Sequence, residues 1–202
     1  MFEEPTERMI RFRVEREATE NIHNDLANAS HYFKKRIAER EAEDDRQGIA
    51  LEMMAGLTMT AFWVEAGVNY LGFTLPIEGW KERESGDKKI AKVIGHLGLQ
   101  PDFDTRPWSV IAILREFRNT LAHGKPERLK DEKIVVRKFG YADRPEPLES
   151  EWVKALTADK VVECYDDANA IWLDMLEAAG ISEIATGSSA SYGMVYLGEA
   201  EG

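Results

Sequence analysis

Apolar side chains recur at steps of three and four residues over most of this chain, and that period demands helices with one buried face. From Ile10 the series runs Val14, Ala18, Ile22, Leu26, Ala29, Phe33 and Ile37, which predicts one long amphipathic helix. It fades in the charged run Glu39 to Arg46 and stops near Gly48. Residues 49–72 predict a second helix, apolar on most sides. A membrane span is the rival reading of that segment. Glu52, Glu65 and Asn69 within it favour a buried core helix, because ionisable groups are expensive in a bilayer. A third helix fits 87–97 and ends at Gly98 and Pro101. A fourth opens near Pro107, carries Val110, Ile113, Leu114, Phe117 and Leu121, and stops at Gly124 and Pro126. Gly124 suits the left-handed position past a helix end. A last long helix fits 151–179.

Two segments break the pattern. Residues 132–148 read as a small β-hairpin or loop insertion, with any β-structure confined there. Residues 181–202 form a Gly/Ser-rich C-terminal tail, expected to be flexible although Tyr192, Val195 and Tyr196 could dock. The expected fold class is therefore all-α. One antiparallel helical bundle spans 1–180, with an insertion over 125–150.

Charge narrows the function. The chain has 26 basic and 37 acidic residues, a net charge of −11, which argues against a protein that coats nucleic acid non-specifically. The balance is local, however. Residues 106–138 carry nine basic and four acidic side chains, whereas 139–202 carry three and thirteen. One basic stretch thus sits inside an acidic protein, either as a solvated helix face or as a phosphate-binding surface. The single cysteine, Cys164, allows neither an internal disulfide nor a zinc cluster. The acidic start lacks the apolar run of a secretory signal, so a cytoplasmic location is expected, with no membrane partner.

The basic stretch holds the groups that could do chemistry. At 100° per residue the fourth helix turns its apolar stripe one way and Arg115, Arg118, Asn119 and His123 the other. Asn119 and His123 are four apart, hence neighbours on that arc, and the long Arg118 side chain can meet them. A histidine ending a helix faces the negative end of the macrodipole, which favours the imidazolium. An arginine fork grips two phosphate oxygens and offsets developing charge. A nearby imidazole can take or give a proton near neutral pH, and no metal or other cofactor is needed. The bland alternative is a capping histidine beside a surface arginine paired with Glu116 or an upstream acid.

Arg118-Asn119-x-x-x-His123 at a helix end resembles the R-x(4–6)-H signature of the HEPN superfamily, including the polar residue that follows the arginine. Glu65-x-x-x-Asn69 on the second helix resembles the family's Glu-x-x-x-Asn helix, which packs against the motif helix. The resemblance implies a helical bundle that dimerises and brings two Arg/His motifs into one cleft. It implies a metal-independent endoribonuclease of a toxin–antitoxin, abortive-infection or other defence system, with RNA as substrate and an antitoxin or defence protein as partner. Arg118 would bind the scissile phosphate, His123 would move the proton, and Asn119 would orient the pair or touch RNA. Arg115, Lys125 and Arg128 would extend the phosphate surface, and Glu65 would support Arg118 or Asn119. The alternative is a HEPN-like module that binds RNA, nucleotide or a protein without cutting. A branch of the family carries Tyr two residues after the histidine; Lys125 stands there instead.

Other constellations are weaker. Glu20-Asn21-Ile22-His23 has the Glu-x-x-His spacing of carboxylate-bridged metal sites, but such sites need two copies of the motif and two more glutamates, so a surface helix is the simpler reading. There is no P-loop, no G-x-G-x-x-G and no G-x-S-x-G.

Overall fold

A computed structural model describes residues 9–132, 134 and 147–199. These form strand β1 (Ile10–Thr19), helices α1 (Ile22–Ala42), α2 (Ile49–Thr74), α3 (Gly86–Leu97), α4 (Val110–Ala122), α5 (Glu151–Lys154) and α6 (Ala158–Ala179), a 3₁₀ turn (Glu183–Thr186) and strand β2 (Ser189–Glu199).

The core is built around α2, which packs against α1, α3, α4 and α6. Its length and hydropathy would suffice to cross a membrane, as the sequence hinted. In the fold eleven of its residues are buried, among them Met53, Leu57, Trp63, Val68 and Leu71, against Ile37 of α1, Val93 of α3, Leu114 of α4 and Ile171 of α6. Close approach of α1, α2 and α6 depends on Gly56. A Cβ there would lie 3.1 Å from Phe33 Cβ and 3.2 Å from Val161 Cγ1. One turn on, buried Thr60 donates to the Gly56 carbonyl at 2.8 Å, so the buried Ser30 hydroxyl, 2.5 Å away, donates to Thr60. Arg40 at the end of α1 ties to Glu52 of α2 at 2.7 Å and to Asp45 in the connecting turn at 3.0 Å. The guanidinium holds the Asp45 carboxyl below its usual range.

Two expectations fail here, and the all-α fold class fails with them. Residues 10–19 do not extend the first helix; they form β1. The tail is not a flexible terminus; Ser189–Glu199 pairs with β1 as an antiparallel two-stranded ribbon, from Ile10↔Glu199 to Thr19↔Ser189. The reason is legible afterwards. Ile10, Val14 and Ala18 fit a helical step, but Ile10-Arg11-Phe12-Arg13-Val14 also alternates with a period of two. Tyr192, Met194 and Tyr196 supply the matching alternation about 180 residues later, a pairing no local window can see. The ribbon's root is pinned to the bundle: the side-chain amides of Asn21 and Asn24 donate to the Thr186 carbonyl at 2.9 and 2.7 Å. β-structure is therefore not confined to 132–148. The hairpin expected there falls almost wholly outside the described residues.

Smaller corrections follow the same logic. Pro107 lies in the turn before α4, which starts at Val110. Arg106, beside it, clamps Asp167 of α6 through Nε and Nη2 at 2.8 and 2.9 Å, fixing the approach to α4. His23 lies on the buried face of the otherwise largely exposed helix α1; it is 2% exposed, between the rings of Tyr70 and Trp172.

Candidate functional site

α4 lies against α2 and α6, with Leu114 and Phe117 buried and its polar arc turned outward. Two side chains on that arc, Arg118 and Arg115, are tied to neighbouring helices. Arg118 Nη2 donates to Glu65 Oε2 of α2 at 2.8 Å, and its Nη1 donates to Asn119 Oδ1 at 3.0 Å. Glu65 and Arg118 are partly exposed, at 46% and 32% of their side-chain surface. An exposed pair of this kind contributes about 0–1 kcal/mol, so an incoming anion can displace the carboxylate at little cost. Arg115, one turn earlier, pairs with Asp87 at the start of α3.

The helix ends where the sequence said it would, but by other means. His123 is the C-cap, and its backbone N–H donates to the Asn119 carbonyl at 2.9 Å. Gly124 is not left-handed. It matters through proximity, since a Cβ there would press to 3.2 Å from the Thr120 carbonyl oxygen. The Asn119 side chain accepts from Arg118, and its backbone carbonyl accepts the last helical hydrogen bond, from the His123 N–H. Among the described residues no hydrogen bond joins Arg118 to His123 directly.

Two recesses flank the arc. One, of about 310 Å³, lies between α2, α3 and α4. Its floor is apolar, from Val68, Ile90, Ile111 and Leu114, and its rim is charged, from Glu65, Asp87, Lys89 and Arg118. The other, an open groove of about 760 Å³, is lined by Arg115, Asn119, His123, Lys125 and Trp152. Arg115 and Asn119 border both. Arg128, expected on the same surface, is exposed but lines neither recess. The arrangement therefore offers a guanidinium over an apolar pocket, an imidazole and an ammonium in the adjoining groove, and an asparagine between them.

Sequence reasoning missed the contribution of α3. Lys89 donates to Asn69 Oδ1 at 2.7 Å and borders the apolar recess, so the Glu65-x-x-x-Asn69 face of α2 meets a cation at each end. The signal was present in Asp87-Lys88-Lys89, a charged run at a helix start whose apolar stripe had already been assigned to the core. Among the described residues no cluster of three or more His, Cys, Asp or Glu could hold a metal ion. No protein-family model matches the chain, no curated protein matches it, and no solved structure matches its fold.

Proposed function

We propose that the chain is a HEPN-type, metal-independent endoribonuclease in which Arg118, Asn119 and His123 act on the scissile phosphate. The observation that supports this reading is that Arg118 and His123 line adjoining recesses on one helix face, recesses that share Arg115 and Asn119. Arg118 leaves Glu65 for two phosphate oxygens, a charge-assisted exchange that favours the doubly bonded fork. The ribose 2′-oxygen attacks phosphorus and gives its proton to the His123 imidazole. The O2′–P bond forms, the P–O5′ bond breaks, and the leaving 5′-oxygen takes a proton from the imidazolium or water. The product ends in a 2′,3′-cyclic phosphate. A base beside that phosphate fits the apolar-floored recess, and Arg115 and Lys125 meet the next phosphates. Arg128 extends the phosphate surface along the strand. The reading calls for a second copy with α4 near the interface, for RNA as substrate, and for an antitoxin or defence protein as regulator.

Single-stranded RNA incubated with the protein and EDTA tests this. The expected products carry 2′,3′-cyclic phosphate, and DNA, which lacks the 2′-hydroxyl, survives. Intact RNA, or products ending in a 3′-hydroxyl, refute it. A second reading is supported by the pairing of Arg118 with Glu65 and of Arg115 with Asp87, in a chain of net charge −11: a module that binds RNA, nucleotide or a protein without cutting. That reading expects affinity lost through Arg118→Ala, Arg115→Ala and Lys125→Ala, with no cleavage by the wild type.

A further inference from the structure

The β1–β2 ribbon is two-sided. On one face Phe12, Val14 and Arg16 stand opposite Tyr196, Met194 and Tyr192, with Phe12 and Tyr196 in edge-to-face contact at 5.9 Å, and Ile10 stands opposite Glu199 beyond the bulge. Arg11, Arg13, Glu15 and Glu17 alternate onto the other face, opposite Gly198, Val195, Gly193 and Ser191. Every residue of β1 is exposed. Among the described residues the ribbon has two strands and no third; such a ribbon is marginal in water, and its outer edges are templates for further pairing. The two edges differ. β2 is broken by a bulge where its partner steps from Gly198 to Tyr196 across Leu197, and Gly198 adopts φ +114°. Bulges blunt an edge. β1 runs without interruption.

On the face that bears residues 11, 13, 15 and 17 the charges change sign once: Arg11 and Arg13 come first, then Glu15 and Glu17, while Arg16 lies on the other face. We propose that β1 pairs antiparallel with β1 of a second copy about a two-fold axis at Val14, joining two ribbons into a four-stranded sheet. In that register Arg13 faces Glu15 and Arg11 faces Glu17, twice each. On the other face Phe12 lies against the Arg16 guanidinium, Val14 against Val14, and Ile10 against Ala18. A slip of two residues one way sets Arg13 against Arg13, and the other way Glu15 against Glu15. Like charges directly opposite destabilise a sheet, so one register is selected. The residues opposite these charges on β2 are uncharged, so reversing the charges leaves the cross-strand pairs of the ribbon intact and, among the described residues, removes within β1 only the exposed Arg13–Glu15 contact at 3.6 Å. This assembly does not depend on the ribonuclease reading.

The full-length protein tests it with single thiols, because the native Cys164 is fully buried. Under mild oxidation Val14→Cys yields a disulfide-linked dimer, since directly opposed strand residues lie within disulfide reach. Ala18→Cys does not, because in this register the two copies of residue 18 stand about 27 Å apart at about 3.4 Å per residue. Adding Glu15→Arg and Glu17→Arg to Val14→Cys abolishes the cross-link. Mixing that protein with a Val14→Cys chain carrying Arg11→Glu and Arg13→Glu restores it as a heterodimer. Equal cross-linking through Val14→Cys and Ala18→Cys, no cross-link at Val14→Cys, or no rescue on mixing overturns the proposal.

Discussion

Replacing His23 by Phe removes a titrating group from the centre of the bundle and leaves a ring in its place. His23 is 2% exposed, stands 4.4 Å from the Tyr70 ring and 5.1 Å from that of Trp172, and its Nε2 has no hydrogen-bond partner among the described residues. Burial pushes its pKa down, and Asp25 only partly opposes this. The unfolded chain, whose histidine titrates near 6.5, takes up a proton that the folded one resists. Unfolding therefore binds protons below that pH, and stability falls as the solution is acidified. For one proton the loss is at most about 1.4 kcal/mol one unit below the unfolded pKa. Urea unfolding of wild type and His23→Phe at about pH 7.5 and about pH 5.5 measures it, the difference between the proteins cancelling the other histidines. The wild type loses up to that amount relative to the variant on going to the lower pH. A stability difference that is the same at both pH values refutes the argument.

The carboxylate of Glu65 occupies the Arg118 fork, so Glu65→Gln raises affinity for single-stranded RNA and steepens its salt dependence by about 0.7 per phosphate gained; filter binding across a salt series reads this out. Gly56→Ala costs about 1–3 kcal/mol in urea unfolding, because the new methyl meets Phe33 and Val161 on two other helices. Burial pushes the Cys164 thiol up to about 12, so a thiol reagent at pH 8 reacts only after denaturant is added, and prompt labelling of the native protein contradicts the packing described for α6.

Helices α3 and α4 were legible because each carries its own apolar stripe, and α2 because it is apolar on most sides; the single helix expected over 151–179 is instead divided, α5 ending at Lys154 and α6 starting after the Thr157 N-cap, while the stop signals Gly98 and Gly180 sit at left-handed C-caps, φ 69° and 66°. The ribbon was not. Helical and strand periods both fit residues 10–18, and the strand's partner is the segment that composition marked as a loose tail. The same difference in range divides the site. The outward arc of Arg115, Arg118, Asn119 and His123 follows from one helix, and Glu65 was expected near Arg118. That Arg115 would be held by Asp87, and Asn69 by Lys89, depends on how α3 docks, which no wheel drawn on α4 contains.

The most direct test of the central claim is the RNA cleavage rate of wild type and His123→Ala, measured side by side in EDTA with RNA affinity determined in parallel. Removal of one proton-transfer group typically costs about 10²–10⁴ in rate. The account predicts a loss of that size with affinity retained, since His123 shares the groove with Arg115 and Lys125, the residues that this account assigns to the neighbouring phosphates. Cleavage that survives His123→Ala unchanged contradicts it.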